Sequence, residues 1–328
     1  MNLPHIIGAD LSKESIDLAS SDTQSHLRIN NSLKGFRQLL KWLKDQKIKI
    51  SAVMIVMEHT GLYSCRMEKF LHRHQVAFTK IPALAIKRSL GLIRGKNDKI
   101  DAHRIARYGL EKRDILIPEK ELNKTLERLK MLHATRGLLV KQRASLICAV
   151  KEFQELLKRS DLIIKTQLQL INDYSMQIKK IEAEMMDLIK QDHSMKQNFK
   201  LLQTIKGVGN IVAIAVIVKT RNFTMFANAR KFACYCGTAP FEHSSGKSIR
   251  RKTRISHLAD KKMKTLLDQS AKTAIQHDKE LKAFYERRTG LGKSKKSTIN
   301  IVRNKILYRM FAVIKRQTPF MENYLQTA

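Results

Sequence analysis

Four carboxylates stand at the ends of distinct segments. Asp10 closes the first apolar segment, in IIGADLSK, and Glu58 closes a later one, in VMIVMEHTG. Asp98 and Asp101 follow in KNDKIDAHRIARY, at a spacing that puts both on one face of a helix. Carboxylates drawn from separate elements to one point suit transfer or hydrolysis of a phosphodiester. That chemistry needs charge neutralised on the phosphate and on the attacking and leaving oxygens, which two Mg²⁺ ions about 3.5–4 Å apart provide. Mg²⁺ prefers oxygen ligands and keeps several waters, so a few acids suffice. Without the cation, the same cluster would repel DNA. Taken singly, each acid has a plainer reading. A strand-end acid is commonly a turn former, Asp98 suits an N-cap, and Asp101 suits the positive end of a helix.

Such acids need elements to present them. Residues 5–10 and 15–19 read as two short strands joined by a turn, and residues 51–57 (SAVMIVM) as a strand buried on both faces. Residues 36–45 form an amphipathic helix, and residues 75–81 another strand. Strands alternating with helices predict an α/β domain, with Asp10 and Glu58 at the carboxyl edge of its sheet. Strand-Asp, strand-Glu, then helical D-x-x-D is the order of a ribonuclease-H-like nuclease.

The charge agrees with such a substrate. The 328 residues carry 63 Lys/Arg against 29 Asp/Glu, a formal charge of +34. That points to a polyanion. A hydrophobic content of 43% excludes a disordered basic tail. The longest aliphatic runs, residues 52–57 and 211–218, fall far short of the roughly 18–20 residues that span a bilayer, so no membrane role is expected. The N-terminus lacks the pattern of a secretory signal. Cys65, Cys148, Cys234 and Cys236 are scattered and read as reduced, mostly buried thiols of a cytosolic protein rather than a zinc site.

Residues 138–206 contain neither proline nor glycine, which suits long helices. Leu139, Leu146, Val150, Phe153 and Leu157 make one stripe, interrupted by Arg143, and Leu168, Ile171, Ile178, Ile181, Met185 and Leu188 make another. Both approximate the 3.5-residue repeat of a coiled-coil seam. A break near Arg159, Ser160 and Asp161 would fold them into an antiparallel hairpin suited to dimerisation; two ordinary core helices are the competing reading.

Residues 201–219, LLQTIKGVGNIVAIAVIVK, have a helix–Gly-h-Gly–helix pattern in which Gly207 and Gly209 permit a tight turn. The next helix can then offer backbone N–H groups to a phosphate, or the turn can simply join packed helices. CGTAPFEHSSGKSIRRKTRIS then reads as a loop with a basic run of Lys247, Arg250, Arg251, Lys252 and Arg254. Residues 245–316 hold 21 Lys/Arg against 5 Asp/Glu, with Phe284, Tyr285, Tyr308 and Phe311 among them, a composition suited to tracking a phosphate backbone. The residues alone do not single out a serine in the loop.

The series GADLSK…MEHTG…KNDKIDAHRIA resembles the RuvC-like DEDD transposases of bacterial insertion sequences, the insertion-sequence one-ten family that includes the Piv-type DNA invertases. The resemblance covers nearly the whole chain. It implies that Asp10, Glu58, Asp98 and Asp101 hold Mg²⁺, with Mn²⁺ as a possible substitute. Gly237, Pro240, Ser245 and Gly246 match the family's G-L-x-P…S-G motif, which makes Ser245, rather than Ser244, Ser248 or Ser256, the implied nucleophile. Thr238 stands where the family has leucine, and Ser256-His257-Leu258-Ala259 lacks the glycine of its S-K-x-G. The ending FYERRTGLGKSKKSTINIVRNKIL resembles the family's F-Y-x-R…G-K-x-x-K.

The resulting expectation is a recombinase with an α/β RuvC-like domain (1–118), a long antiparallel helical coiled-coil hairpin (119–197) and a mostly helical C-terminal transposase domain (198–328). The resemblance implies cleavage and rejoining of donor and target DNA, a guide (bridge) RNA, a homodimer or homotetramer, and work in the bacterial cytosol in association with the nucleoid. Two rivals are a Holliday-junction resolvase or nuclease of the same fold that uses water, and a non-enzymatic nucleic-acid-binding protein.

Overall fold

The computed structural model describes residues 5–59, 61, 63–89, 97–121, 123–159, 161–245 and 249–322, with the backbone alone at 243–245 and 249–252. The chain divides into two compact units, Met1–Glu121 and Leu122–Ala328.

The first unit holds strands β1 (His5–Leu11), β2 (Ser15–Ser20), β3 (His26–Asn30), β4 (Val53–Glu58) and β5 (Ala77–Ile81). Their order is β3-β2-β1-β4-β5, with β1–β2 and β2–β3 antiparallel and β1–β4 and β4–β5 parallel. Helices α1 (Leu33–Asp45), α2 (Cys65–Arg73), α3 (Ala83–Ser89) and α4 (Asp98–Glu111) complete it.

Alternation along the strands sorts their side chains to two faces. Ile7, Ala9, Ile16, Leu18, Ile55 and Met57 join Phe36 and Leu39 of α1 and Met67 and Leu71 of α2 in one core. Ile6, Met54, Val56 and Ile81 join Ile86 of α3 and Ile105 of α4 on the other face. Burying each large aliphatic stabilises by about 1.5–3 kcal/mol, so reversing the register of β1 or β4 would forfeit both layers.

The expected strands and the first helix are present. The apolar run around 51–57 begins as a 3-10 turn at Ile50–Ala52, and its strand runs one residue further, to Glu58. Three elements went unread, among them the short helix α3. Strand β3 (HLRIN) is short and half-polar, and its pairing partner β2 defines it. Helix α2 (CRMEKFLHR) buries only Met67, Phe70 and Leu71.

The second unit is mostly helical: α5 (Lys124–Phe153), α6 (Leu162–Gln191), α7 (His193–Gln203), α8 (Asn210–Thr220), α9 (Ala229–Tyr235), α10 (Lys261–His277), α11 (Lys279–Gly290) and α12 (Lys295–Arg316). Asp161 caps α6 by accepting from Ile163 N–H, and Ser160 lies outside the described residues. Arg128–Glu184, Arg136–Glu182 and Arg143–Ser175 contacts link α5 to α6, so the two helices run antiparallel. On α6 the sheltered positions recur at Ile164, Ile171, Ile178 and Met185. The core gathers around α8, where Val212–Val218 are buried as in a helix that is apolar all round.

Two expectations need correction here. Within residues 236–256, expected as a loop, β6 (Pro240–Ser245) and β7 (Ile249–Ile255) pair as an antiparallel hairpin. Ile249, Thr253 and Ile255 favour extended backbone, and Pro240 sits at a strand start, where its missing N–H costs nothing. Of the aromatics in the basic tract, Phe284 and Phe311 pack against the helical core, and Phe311 meets Phe223 edge-on at 5.0 Å. Among the thiols, Cys236 is buried, whereas Cys148 is exposed on the outer side of α5. Among the described residues, no helix is long and apolar enough to cross a membrane.

Candidate active site

Glycine sets the distance between α4 and the sheet. A Cβ at Gly8 would lie 2.2 Å from the Ala102 carbonyl oxygen and from Ala106 N, so the helix backbone rests directly on the middle of β1. A Cβ at Gly109 would meet Ile6 and Val56 side chains at 2.6 and 2.8 Å. Gly109 therefore lies toward the start of β1 and Ala102 nearer its end. This orientation carries the N-terminus of α4, with Asp98 and Asp101, toward the edge where β1 and β4 finish.

At that edge the register pairs Gly8 with Val56 and Ala9 with Met57, and one step further brings Asp10 level with Glu58. Alternation puts both acids on the α4 face. Asp10 is only partly buried, yet its carboxyl is pushed up to about 6. Burial contributes most, followed by the charges of Asp101, Asp98, Glu58 and Asp17. The other three sequence-predicted acids thus all bear on Asp10.

Asp17 is a fifth acid that sequence reasoning missed. It pairs directly with Asp10 across β1–β2 and is 3% exposed. His26 Nε2 lies 2.8 Å from Asp17 Oδ1, and Arg28 Nε lies 3.8 Å from Oδ2. The available signal was an acid inside a strand otherwise composed of small and aliphatic residues.

Cationic side chains attend the helical pair. Arg104 donates to Asp101 at 2.8 Å, and Arg28 Nη2 stands 4.0 Å from the exposed Asp98. Asp98 is the first residue of α4, and Asn97 is its N-cap, accepting from Ile100 N–H. The plain cap reading of Asp98 therefore passes to its neighbour.

The all-carboxylate donor set, only partly offset by these cations, fits a hard divalent cation. Among the described residues, however, no group of three or more His, Cys, Asp or Glu stands ready to hold a metal ion. Two of the four acids, Asp98 and Asp101, meet arginines instead.

In the second unit, Ser245 is the last residue of β6 and pairs with Ile249. Gly246 and Lys247 lie outside the described residues, as do the side chains of Ser245, Arg250, Arg251 and Lys252. Along the hairpin Ser244 pairs with Arg250, His243 with Arg251 and Phe241 with the exposed Arg254. The two glycines before α8 differ in use. Gly207, at φ +89°, accepts from Ser270 Oγ at 2.6 Å, and a Cβ there would meet the Ser270 carbonyl at 2.4 Å. Its need is therefore internal packing on α10. Gly209 is exposed, has nothing within 4 Å of a built Cβ, and opens α8.

Comparisons with known proteins agree with this layout. The model for DEDD transposases of the IS110 group, described as "Transposase", matches residues 7–159. A second, "Transposase IS116/IS110/IS902 family", matches residues 199–286. A "Pilin gene-inverting protein" of Moraxella bovis is 28% identical over 325 residues, covering 96% of this chain and 97% of its own. Its namesake in Moraxella lacunata matches with the same identity and coverage. The mixed sheet followed by a mostly helical remainder fits a RuvC-like DEDD transposase.

Proposed function

From the premise that this chain belongs to the IS110 family of transposases and DNA invertases, and is a DNA recombinase, we propose that it cleaves and rejoins the donor and target DNA of an insertion sequence with Ser245 as nucleophile. DEDD-type transposases generally use a divalent metal. Here the ion is Mg²⁺, with Mn²⁺ as a substitute, held by Asp10, Glu58, Asp98 and Asp101. When bound, it supplies charge neutralisation at the phosphate. The observation that carries this reading is the gathering of acids about Asp10, level with Glu58 and opposite Asp17, whose carboxyl is pushed up to about 6 by burial first and then by the charges of Asp101, Asp98, Glu58 and Asp17.

The residues then divide the work. Asp10 and Glu58 present oxygens from neighbouring strand ends, and α4 adds Asp98 and Asp101 from one helical face. Asp17, held by His26 and Arg28, fixes the strand opposite Asp10 and adds negative charge. The Ser245 oxygen attacks phosphorus, the bond to the departing 3′ or 5′ oxygen breaks, the serine proton passes through solvent to that oxygen as it becomes a free hydroxyl, and a phosphoserine ester keeps the bond energy for rejoining. Gly209 at the start of α8, with Lys247, Arg250, Arg251, Lys252 and Arg254 on the hairpin, binds nucleic-acid backbones. Gly207 shapes the turn that sets α8 in place.

The assignment extends to organisation and partners. Residues 1–118 are a ribonuclease-H-like catalytic domain, 119–197 a coiled-coil hairpin for assembly, and 198–328 the transposase domain. A homodimer or homotetramer works on the nucleoid in the cytosol. A bridge RNA chooses sites by base pairing, leaving the protein's positive surface to hold backbones. The same strand exchange between inverted sites in one DNA molecule would give inversion, the activity for which the Moraxella relatives are named.

The deciding experiment is an adduct trap. Wild-type protein with element-end DNA and Mg²⁺ should yield a covalent protein–DNA species that Ser245→Ala does not form, although it still binds the DNA. Undiminished cleavage by Ser245→Ala would instead identify a nuclease that uses water.

A further inference from the structure

The β6–β7 hairpin joins the helical unit at two feet, and both are held by polar groups inside the fold. Thr238, just before β6, is fully buried. Its carbonyl oxygen accepts from Asn300 Nδ2 and Asn304 Nδ2, both at 2.8 Å. Its hydroxyl has Asn304 Oδ1 at 2.8 Å and the Ala233 carbonyl at 3.3 Å as acceptors, and its N–H donates to Ala233 at 3.0 Å. Asn300 and Asn304 are four residues apart on α12 and so share a face.

The other foot is Asp260, after β7. It caps α10 by accepting from Met263 N–H at 2.9 Å, accepts from Tyr235 hydroxyl at 3.0 Å, and pairs with Lys219 Nζ at 2.6 Å. The feet press on each other: Gly237 sits at φ +65°, and a Cβ there would lie 2.4 Å from Ala259 Cβ.

A lone two-stranded hairpin is marginal in water and does not fix its own direction. With a rise of about 3.3 Å per residue, Ser245 stands roughly 20 Å along the strand from Thr238. A tilt of about 10° at the foot would then move Ser245 by roughly 3–4 Å. A misplacement of about 1 Å can cost a reaction on the order of 100-fold. We propose that Asn300 and Asn304 are positioning residues, whose paired grip on the Thr238 peptide aims the hairpin and the serine it carries. This rests on Ser245 being the nucleophile.

The test uses the full chain with both asparagines replaced (Asn300→Leu and Asn304→Leu), alongside Thr238→Ser, which keeps the hydroxyl. Deuterium uptake across β6–β7 should speed up by about tenfold or more in the double variant, and by much less in α8. Adduct formation at saturating DNA should slow by at least about tenfold, while half-saturating DNA rises by much less, since the basic residues of the hairpin keep their charges. Thr238→Ser should match wild type. If the double variant does not fold, Asn304→Ser, which shortens one arm, takes its place with the same readouts. Wild-type exchange and wild-type adduct rate in a folded variant would overturn the proposal. Faster hairpin exchange in a protein whose wild-type form traps no adduct would uphold the clamp and discard the serine reading.

Discussion

Asp10 and Asp17 face each other across the antiparallel β1–β2 ladder, one carboxyl partly buried and pushed up to about 6, the other almost fully enclosed beside His26. Like charges directly opposite on neighbouring strands are destabilising. The fold keeps this pair, at the point where Glu58, Asp98 and Asp101 add further negative charge. Such an arrangement gains from a cation and loses without one.

That loss can be measured. Asp10 binds its proton more tightly in the folded than in the unfolded chain, so its contribution is fully present below about 3.8 and is lost as pH rises through about 6. At pH 7.5 in a chelator, Asp10→Asn should therefore melt higher than wild type. Added Mg²⁺ should raise the melting temperature of wild type and leave Asp10→Asn nearly unmoved. Equal responses of the two proteins to Mg²⁺ in a thermal melt would remove Asp10 from the metal site. Cleavage by Asp10→Asn should be absent, with DNA binding retained.

Gly8 offers a steric test of how α4 delivers its acids. Gly8→Ala places a methyl group 2.2 Å from the backbone of Ala102 and Ala106. Backbone cannot yield as a side-chain tip does, so the helix must move outward. The expected cost is about 1–3 kcal/mol in a denaturant titration. Strand cleavage should fall by more than that stability loss explains, because Asp98 and Asp101 move with the helix. Unchanged cleavage would mean that the two helical acids do no chemistry.

His133 on α5 makes a separate pH prediction for the second unit. Burial, then Lys219 and Arg136, and also Lys262, hold its imidazole down at about 4, against the opposing pull of Asp260. The unfolded chain takes up this proton near 6.5 and the fold resists it, so stability falls as pH drops from about 6.5 to about 4. The loss amounts to at most about 3 kcal/mol. Urea midpoints between pH 4.5 and 7 should show this slope, and His133→Gln should flatten it. An identical slope in the variant would assign the pH dependence to other groups.

The outer stretch of the α5–α6 pair leaves Leu138, Ile147, Leu162, Ile163, Leu170 and Met176 exposed. If this pair of helices mediates assembly, as proposed above, these side chains are the candidates for the contact between copies. Joint replacement, Ile147→Glu with Leu170→Glu, should shift the protein toward monomer in sedimentation velocity. Melting of the isolated chain should change by no more than a few degrees, since neither side chain is buried. An unaltered sedimentation profile would place the dimer contact elsewhere.

What the linear chain determined was local. An apolar run ending in an acid makes a strand that presents that acid at its tip, so Asp10 and Glu58 could be read from order alone. The i, i+3 spacing of Asp98 and Asp101, and the absence of proline and glycine from 138–206, likewise predict helices without reference to any partner. Tertiary structure decided the rest. Asp17 became part of the acidic edge because β2 folds back on β1 in one register. The weakly apolar β3 became a strand because β2 offered it a ladder. Pro240–Ser245 and Ile249–Ile255 left the loop state by hydrogen-bonding each other, and Thr238 found its partners on a helix more than sixty residues away. Backbone propensity and periodicity act over a few residues, whereas pairing and close approach depend on surfaces that meet only once the chain is compact.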